Sequence, residues 1–264
     1  MLGFDQTVAK DSDLYQRLII NSEPILFVGE SPNLSHTLAF ATMRGSLEGI
    51  LSTSLNASHF CTREWLLRMI AEQQLQASSR EEGGLSTMHG CTFQIYALSA
   101  PHSMAAKFNA FRGYADNLEG NPDHILHQIF CNADATKLEQ FVESRGEKPA
   151  EIKNIWFQCP WQERNSTGST QALLHDFFKS TSTIQNIGDF VYIGIFNESF
   201  NSHHKYCLSQ VVEAAKACGY ERDEKADTGL IRECHKFGYH HYSQSGRNLD
   251  HLRDLQVTHI FTRT

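Results

Sequence analysis

No apolar run in the 264 residues approaches the ~18 that a membrane span needs. The first twenty, MLGFDQTVAKDSDLYQRLII, carry acids early and lack the apolar core of a signal peptide. Basic residues are outnumbered, 23 Lys and Arg against 30 Asp and Glu, so the formal charge of −7 excludes a generally basic nucleic-acid binder. A nucleic-acid substrate would need a local basic patch. Internal repeats and low-complexity tracts are absent, which removes solenoid and fibrous classes. The seven cysteines are odd in number and scattered, which reads as reduced thiols packed in a cytoplasmic protein rather than a disulfide framework. None of Cys234-His235, His203-His204 or His240-His241 has the two-plus-two spacing of a structural zinc site, so no metal is expected.

What is present is a globular composition. Hydrophobic residues make up 41% and aromatics 11%, enough to bury a substantial core and exclude disorder. Short apolar runs alternate with helical patterns. Ile25–Gly29 reads as a strand, followed by a helix to about Arg44 that Gly45 can stop. Leu47–Ser54 reads as a second strand, and a helix from Cys61 or Thr62 to about Leu75 follows. Residues 77–125 are the least regular and read as an insertion on the surface or over a site, with a helix at Ser103–Ala115. Further strands are expected at His127–Asn132, Ile152–Cys159, Gly188–Phe196, Tyr220–Ala226 and Gln256–Thr262, with helices at Thr170–Thr183 and His204–Cys218. The stretch between the last two strands, rich in Gly, His and Tyr, reads as a loop. Strand–helix alternation repeated five times implies one α/β domain over 1–264, with a mostly parallel sheet and helices on both faces.

In such a sheet ligands bind beyond the carboxyl ends of the strands. Those ends carry Gly29-Glu30, Ser54-Leu55-Asn56, Asp134-Ala135 and Gln158-Cys159-Pro160-Trp161. A glycine lets backbone approach a ligand closely. Glu30 can hold an ammonium group or a water, Asn56 can bond ribose hydroxyls, and Asp134 can accept from an adenine amine. Pro160 and Trp161 can floor a pocket for a flat substrate, since aromatic faces stack on planar groups. Each also has a structural alternative. Gly29 can be a simple turn, Asp134 a helix cap, and Trp161 a loop anchor. A nucleophilic role for Cys159 has no neighbouring base to support it.

Taken in order, these segments resemble the Rossmann-like methyltransferase family typified by large-subunit ribosomal-RNA uridine-N3 methyltransferases. ILFVGE (Ile25–Glu30) resembles its strand into Gly-Glu-Gly, and TSLNAS (Thr53–Ser58) its Thr-Ser-x-Asp-Ser. NADATKL (Asn132–Leu138) resembles its Val-Asp-Ala-Thr, and IWFQCPW (Ile155–Trp161) its Ile-Phe-Asn-Phe-Pro-His. LLHDFFKS (Leu173–Ser180) resembles its Leu-Leu-x-x-Phe-Phe helix. FGYHHYSQSG (Phe237–Gly246) resembles its Gly-Tyr-x-x-x-Arg-x-x-Gly. The likeness covers 24–60 and 127–264, with 77–125 outside it. Here Ser31 and Pro32 stand where the family has Gly and Asp or Asn, Asn56 replaces the ribose-binding Asp, and Gln158 and Trp161 replace Asn and His.

The resemblance implies a class I methyltransferase fold with an antiparallel C-terminal strand and S-adenosylmethionine as methyl donor. Gly29, Glu30, Asn33, Asn56, Asp134 and Ala135 would hold the cofactor, and Gln158, Pro160 and Trp161 would position the acceptor. The acceptor would be a nucleobase in RNA, unstacked to reach the pocket. Arg63, Arg68, Arg80, Lys107 and the Arg232–Arg247 region are candidates for a basic surface. A methyltransferase acting on a small planar molecule or a peptide, and a non-catalytic interaction protein that keeps the fold, remain open at this point.

Overall fold

The computed structural model describes residues 12–30, 34–54, 63–83, 100–118, 129–131, 133–140, 152–160, 167–196, 208–241 and 254–264. Among these residues seven strands form one sheet: β1 Ile25–Val28, β2 Ile50–Ser54, β3 Ile129–Cys131, β4 Asn154–Gln158, β5 Phe190–Phe196, β6 Tyr220–Arg222 and β7 Gln256–Arg263. Their order is β3-β2-β1-β4-β5-β7-β6. The pairs β1–β2, β1–β4, β2–β3 and β4–β5 are parallel, while β7 runs antiparallel to β5 and to β6. This is the Rossmann-like α/β arrangement expected, antiparallel C-terminal strand included. Strand order reverses between β1 and β4, the place where open α/β sheets bind ligands.

All four residues of β1 are buried, as an interior strand between two helical layers demands. Side chains alternate across the sheet with period two. Phe27, Trp156 and Tyr192 join a core with helices α2 (Ser35–Arg44), α3 (Arg63–Gly83), α4 (Ala100–Asp116) and α7 (Gly229–Lys236). Leu26, Val28, Phe157 and Ile193 pack on the opposite face against α5 (Thr167–Ile184) and α6 (Leu208–Ala217). The helix α2 stops where Gly45, at φ +80°, donates its N–H to Ala41 and Thr42 carbonyls.

The N-terminal lead-in is a short helix, α1 (Asp13–Tyr15), that continues as a π-helical turn over Gln16–Ile20. It closes the amino end of the sheet, where Arg17 reaches Asn154 of β4 at 3.0 Å.

Several boundaries differ from the sequence expectation: β4 begins at Asn154 rather than Ile152, β5 at Phe190 rather than Gly188, and β6 ends at Arg222 rather than Ala226. β2 begins at Ile50 rather than Leu47 because Leu47 to Gly49 form the turn into it, with Gly49 at φ +67°. The second long helix, α3, runs on to Gly83, into the irregular stretch. The expected loop before the last strand contains α7, whose Leu230, Ile231 and Cys234 are buried and whose first turn is held by Asp227 Oδ1 accepting the Leu230 N–H at 2.9 Å. Within 77–125, α4 buries Phe108, Phe111 and Ala115 in the same core as Phe40, and it packs on α2 and α3. Among the described residues no helix is long and apolar enough to cross a membrane.

Candidate active site

At the end of β1 the chain turns through Gly29 at φ +69°. A Cβ there would stand 2.7 Å from Phe157 Cε2, so only glycine fits without displacing the ring. The next peptide is fixed to β2, with the Glu30 N–H donating to Thr53 O at 2.9 Å. The buried Glu30 carboxylate turns inward. Its Oε2 accepts the Thr37 N–H of the first turn of α2 at 3.3 Å, and Oε1 lies 3.5 Å from His36 Nδ1. The reason lies in Leu34, which precedes α2 with a left-handed φ of 51° and has no side-chain oxygen to cap it. Glu30 supplies both the acceptor and the negative charge that a helix N-terminus favours.

His36 is only 1% exposed and sits in an aromatic box. Its ring centroid lies 4.7 Å from Phe27, 5.0 Å from Trp156 and 4.8 Å from Tyr239. Neither ring nitrogen has a hydrogen-bond partner among the described residues.

On the neighbouring strand, Gln158 lies along the sheet. Its Oε1 accepts the Trp156 Nε1–H at 2.9 Å, and its amide occupies the space that the absent side chain of Gly194 leaves. Cys159 follows with φ +50° and donates its N–H to Gly194 O at 2.8 Å. Burial pushes its thiol up to about 12, against a small lowering by Gln158. Pro160 is buried beside it.

Gly29, Glu30, Gln158 and Pro160 are therefore brought together, on the two strands that flank the reversal of sheet order. Asp134 and Ala135 lie on the same rim after β3, the edge strand two places from β1. Asp134 Oδ1 accepts from Thr136 N at 2.9 Å and from Thr136 Oγ1 at 2.7 Å, which caps the 3-10 turn Ala135–Lys137. Asn33, Asn56 and Trp161 lie outside the described residues. Of the proposed basic surface, Lys107 donates to Met43 O at the end of α2, and exposed Arg68 faces Glu72 at 3.8 Å.

Two residues missing from the sequence-derived set join this rim: Tyr239 and His241. Tyr239 Oη and His241 Nδ1 are 2.9 Å apart. The phenol is raised well above its ordinary value by burial first, and then by the nearby Cys159, Glu30 and Cys234. Tyr239 thus stands between the ends of β1 and β4. The segment is anchored by Ser35 Oγ, which donates to His240 O at 3.0 Å and accepts the His240 N–H at 3.2 Å. His235 braces it from below, with Nδ1 3.0 Å from Tyr239 O and Nε2 2.9 Å from Gln256 Oε1. The sequence signal was the run FGYHHY itself, where two aromatics and two histidines follow a glycine.

A groove lined by His175, Lys179, Ser182, Cys218 and Arg263 lies at the opposite end of the strands, beside the last residues of β7, and takes no part in this rim.

A family model described as BMT5-like, rRNA (uridine-N3-)-methyltransferase BTM5-like, matches residues 86–243. It runs through 86–125, which the sequence likeness had left outside. No curated protein sequence matches the chain. Among solved structures the chain is similar to TrmN from Thermus thermophilus (11% identity, TM-score 0.41), with 99% of this chain and 49% of that one covered. The chain therefore spans about half the length of that protein. It is also similar to the 16S rRNA (adenine(1408)-N(1))-methyltransferase from Catenulisporales acidiphilia (11%, TM-score 0.41, covering 100% and 95%). A third is a SAM-dependent methyltransferase from Methanosarcina mazei (10%, TM-score 0.43, covering 96% and 97%).

Proposed function

The chain belongs to the BMT5-like family of rRNA (uridine-N3-)-methyltransferases, and on that premise we propose that it transfers a methyl group from S-adenosylmethionine to N3 of a uridine in ribosomal RNA. The carrying observation is the pair of sharp turns at Gly29 and Cys159, side by side at the reversal of strand order. The turn at Gly29 is reserved for glycine, because its φ is left-handed and the Phe157 ring already fills the place of a side chain. The cofactor supplies an electrophilic methyl carbon, so the protein's contribution is chiefly alignment of acceptor and donor. We assign Gly29, Glu30, Asn33, Asn56, Asp134 and Ala135 to the cofactor side. Glu30 acts there by fixing the start of α2. Gln158, Pro160 and Trp161 take the acceptor side. Residues 1–264 form one methyltransferase domain in this reading. Its free thiols at Cys159, Cys218 and Cys234 suit a reducing cytoplasmic compartment.

Calorimetric titration with S-adenosylhomocysteine tests the donor half. Saturable binding is expected, weakened at least about tenfold in Gly29→Ala, whose left-handed backbone disfavours any side chain. No heat at millimolar ligand would contradict any enzyme reading. The formal charge of −7 favours a second reading, a small planar acceptor in place of RNA. RNA binding that falls steeply with salt supports the first, because phosphate contacts release counterions.

A further inference from the structure

The uridine-N3 reading, on which this inference rests, leaves a proton unaccounted for. N3 of a neutral uracil carries a hydrogen, and its electron pair cannot attack until that hydrogen leaves. The residues assigned to the acceptor side do not take it. Gln158 and Pro160 do not titrate, the indole of Trp161 is not a base, and the Cys159 thiol stays protonated near neutral pH. Glu30 is turned into the first turn of α2, and His36 is sealed from solvent. His240 is 9% exposed, with its backbone tied to Ser35.

We propose that His241 is the general base of this reaction, held in position by Tyr239. Its Nδ1 lies 2.9 Å from Tyr239 Oη, which sets the plane of the ring. Its edge stands against Phe196, the last residue of β5, at 5.5 Å between centroids and 74° between planes. The ring thus sits at the carboxyl end of β5, next to β4, and is half-buried, with a route for a proton to water. Among the described residues Tyr239 and Phe196 face it, and behind the phenol lie Cys159, Glu30, Cys234, His235 and His36. Tyr239 is a positioning residue, since it acts through the imidazole.

In the tautomer in which Nδ1–H donates to the phenol oxygen, the Nε2 lone pair takes the N3 hydrogen as a proton. The electron pair left on N3 forms the new bond to the methyl carbon. The carbon–sulfur pair departs with sulfur as a neutral thioether, and the imidazolium returns its proton to water. Charge and atoms balance without a further reactant.

The test uses the full chain as wild type, His241→Asn and Tyr239→Phe, with a ribosomal-RNA fragment containing uridine or the more acidic 5-fluorouridine. Single-turnover rates across pH, affinity for S-adenosylhomocysteine and the His241 ring titration by NMR are measured together. Wild type should rise with pH to a plateau. H241N should fall about 100-fold at neutral pH, the scale of a lost general base, and lose the plateau while S-adenosylhomocysteine binding is unchanged. Its deficit should shrink several-fold on 5-fluorouridine RNA. Y239F should shift both the ring titration and the midpoint of the rate profile. A wild-type rate and profile in H241N would overturn the proposal, as would an equal deficit on both RNAs. Failure of wild type to methylate either RNA would instead overturn the uridine reading beneath it.

Discussion

The two ends of the central strands are built to opposite rules. At the amino end, Asn154 of β4 is fully buried and every position of its amide is used. Its oxygen accepts from Arg17 at 3.0 Å and from Tyr192 Oη at 2.8 Å, and its nitrogen donates to Glu23 Oε2 at 3.2 Å and Pro24 O at 2.9 Å. Arg17 also lies 3.7 Å over the Phe190 ring. Arg44, lowered to about 10 by burial, donates to Leu18 O and Glu23 O. At the carboxyl end, His36 has no hydrogen-bond partner among the described residues, nor do Thr258 Oγ1 and Gln73 Oε1. Among the described non-glycine residues, Leu34 and Cys159 hold left-handed backbone there, against Ser22 in the turn before β1. Unanswered polar groups and unfavourable backbone are costly, and they concentrate where function outweighs stability. One end anchors the sheet, and the other is the rim that we assign to ligands.

This division can be broken most sharply at Asn154. Asn154→Ala leaves the buried Tyr192 hydroxyl and the part-exposed Arg17 and Glu23 without their shared partner, and we expect a loss of about 3 kcal/mol by chemical denaturation, since a stranded buried polar group costs on the order of 1–3 kcal/mol and the weaker losses add to it. Methyl transfer per folded molecule should be unchanged. A stable but inactive N154A would erase the distinction between the ends.

The converse substitution sits at the rim. His36→Phe replaces a buried imidazole that has no hydrogen-bond partner among the described residues with an apolar ring of similar size, so stability should hold or rise by up to about 1 kcal/mol. S-adenosylhomocysteine affinity should fall, because Glu30 loses its neighbour beside the β1 turn. A large destabilisation would mean that His36 is structural.

The smallest effect is in pH dependence. Burial raises the Glu23 carboxyl, but hydrogen bonds from Arg17 and Asn154 outweigh it and leave it lowered. A lowered folded value contributes stability above the unfolded carboxylate value, and that stability is lost as pH falls through the folded one. Glu23→Gln should therefore lower stability modestly at neutral pH, with the difference from wild type disappearing below about pH 4.5, so that the acid limb is flatter. An unaltered acid limb would remove Glu23 from the network.

Much of this was visible before any coordinates. The apolar runs of β1 and β5 and the Leu174, Phe177 and Phe178 stripe of α5 announce themselves because burial on one face imposes a period. Gly45 and Gly29 mark turns that other residues resist. By contrast α7 was hidden, because its buried Leu230, Ile231 and Cys234 are interleaved with Arg232 and Glu233 over barely two turns. Strand-end position and the resemblance of ILFVGE assign Glu30 to a ligand; its bond to Thr37 follows from Leu34 being unable to cap α2, which is a tertiary fact. Nor could any pattern pair Tyr239 with His36, since the two rings stand 203 positions apart in the chain and meet only when α2 and α7 pack.

The most direct measurement supplies labelled S-adenosylmethionine with ribosomal RNA and identifies the product by digestion to nucleosides and mass spectrometry. We expect label in N3-methyluridine, reduced in Gly29→Ala. Label in a different nucleoside, or none despite tight S-adenosylhomocysteine binding, would contradict the assignment.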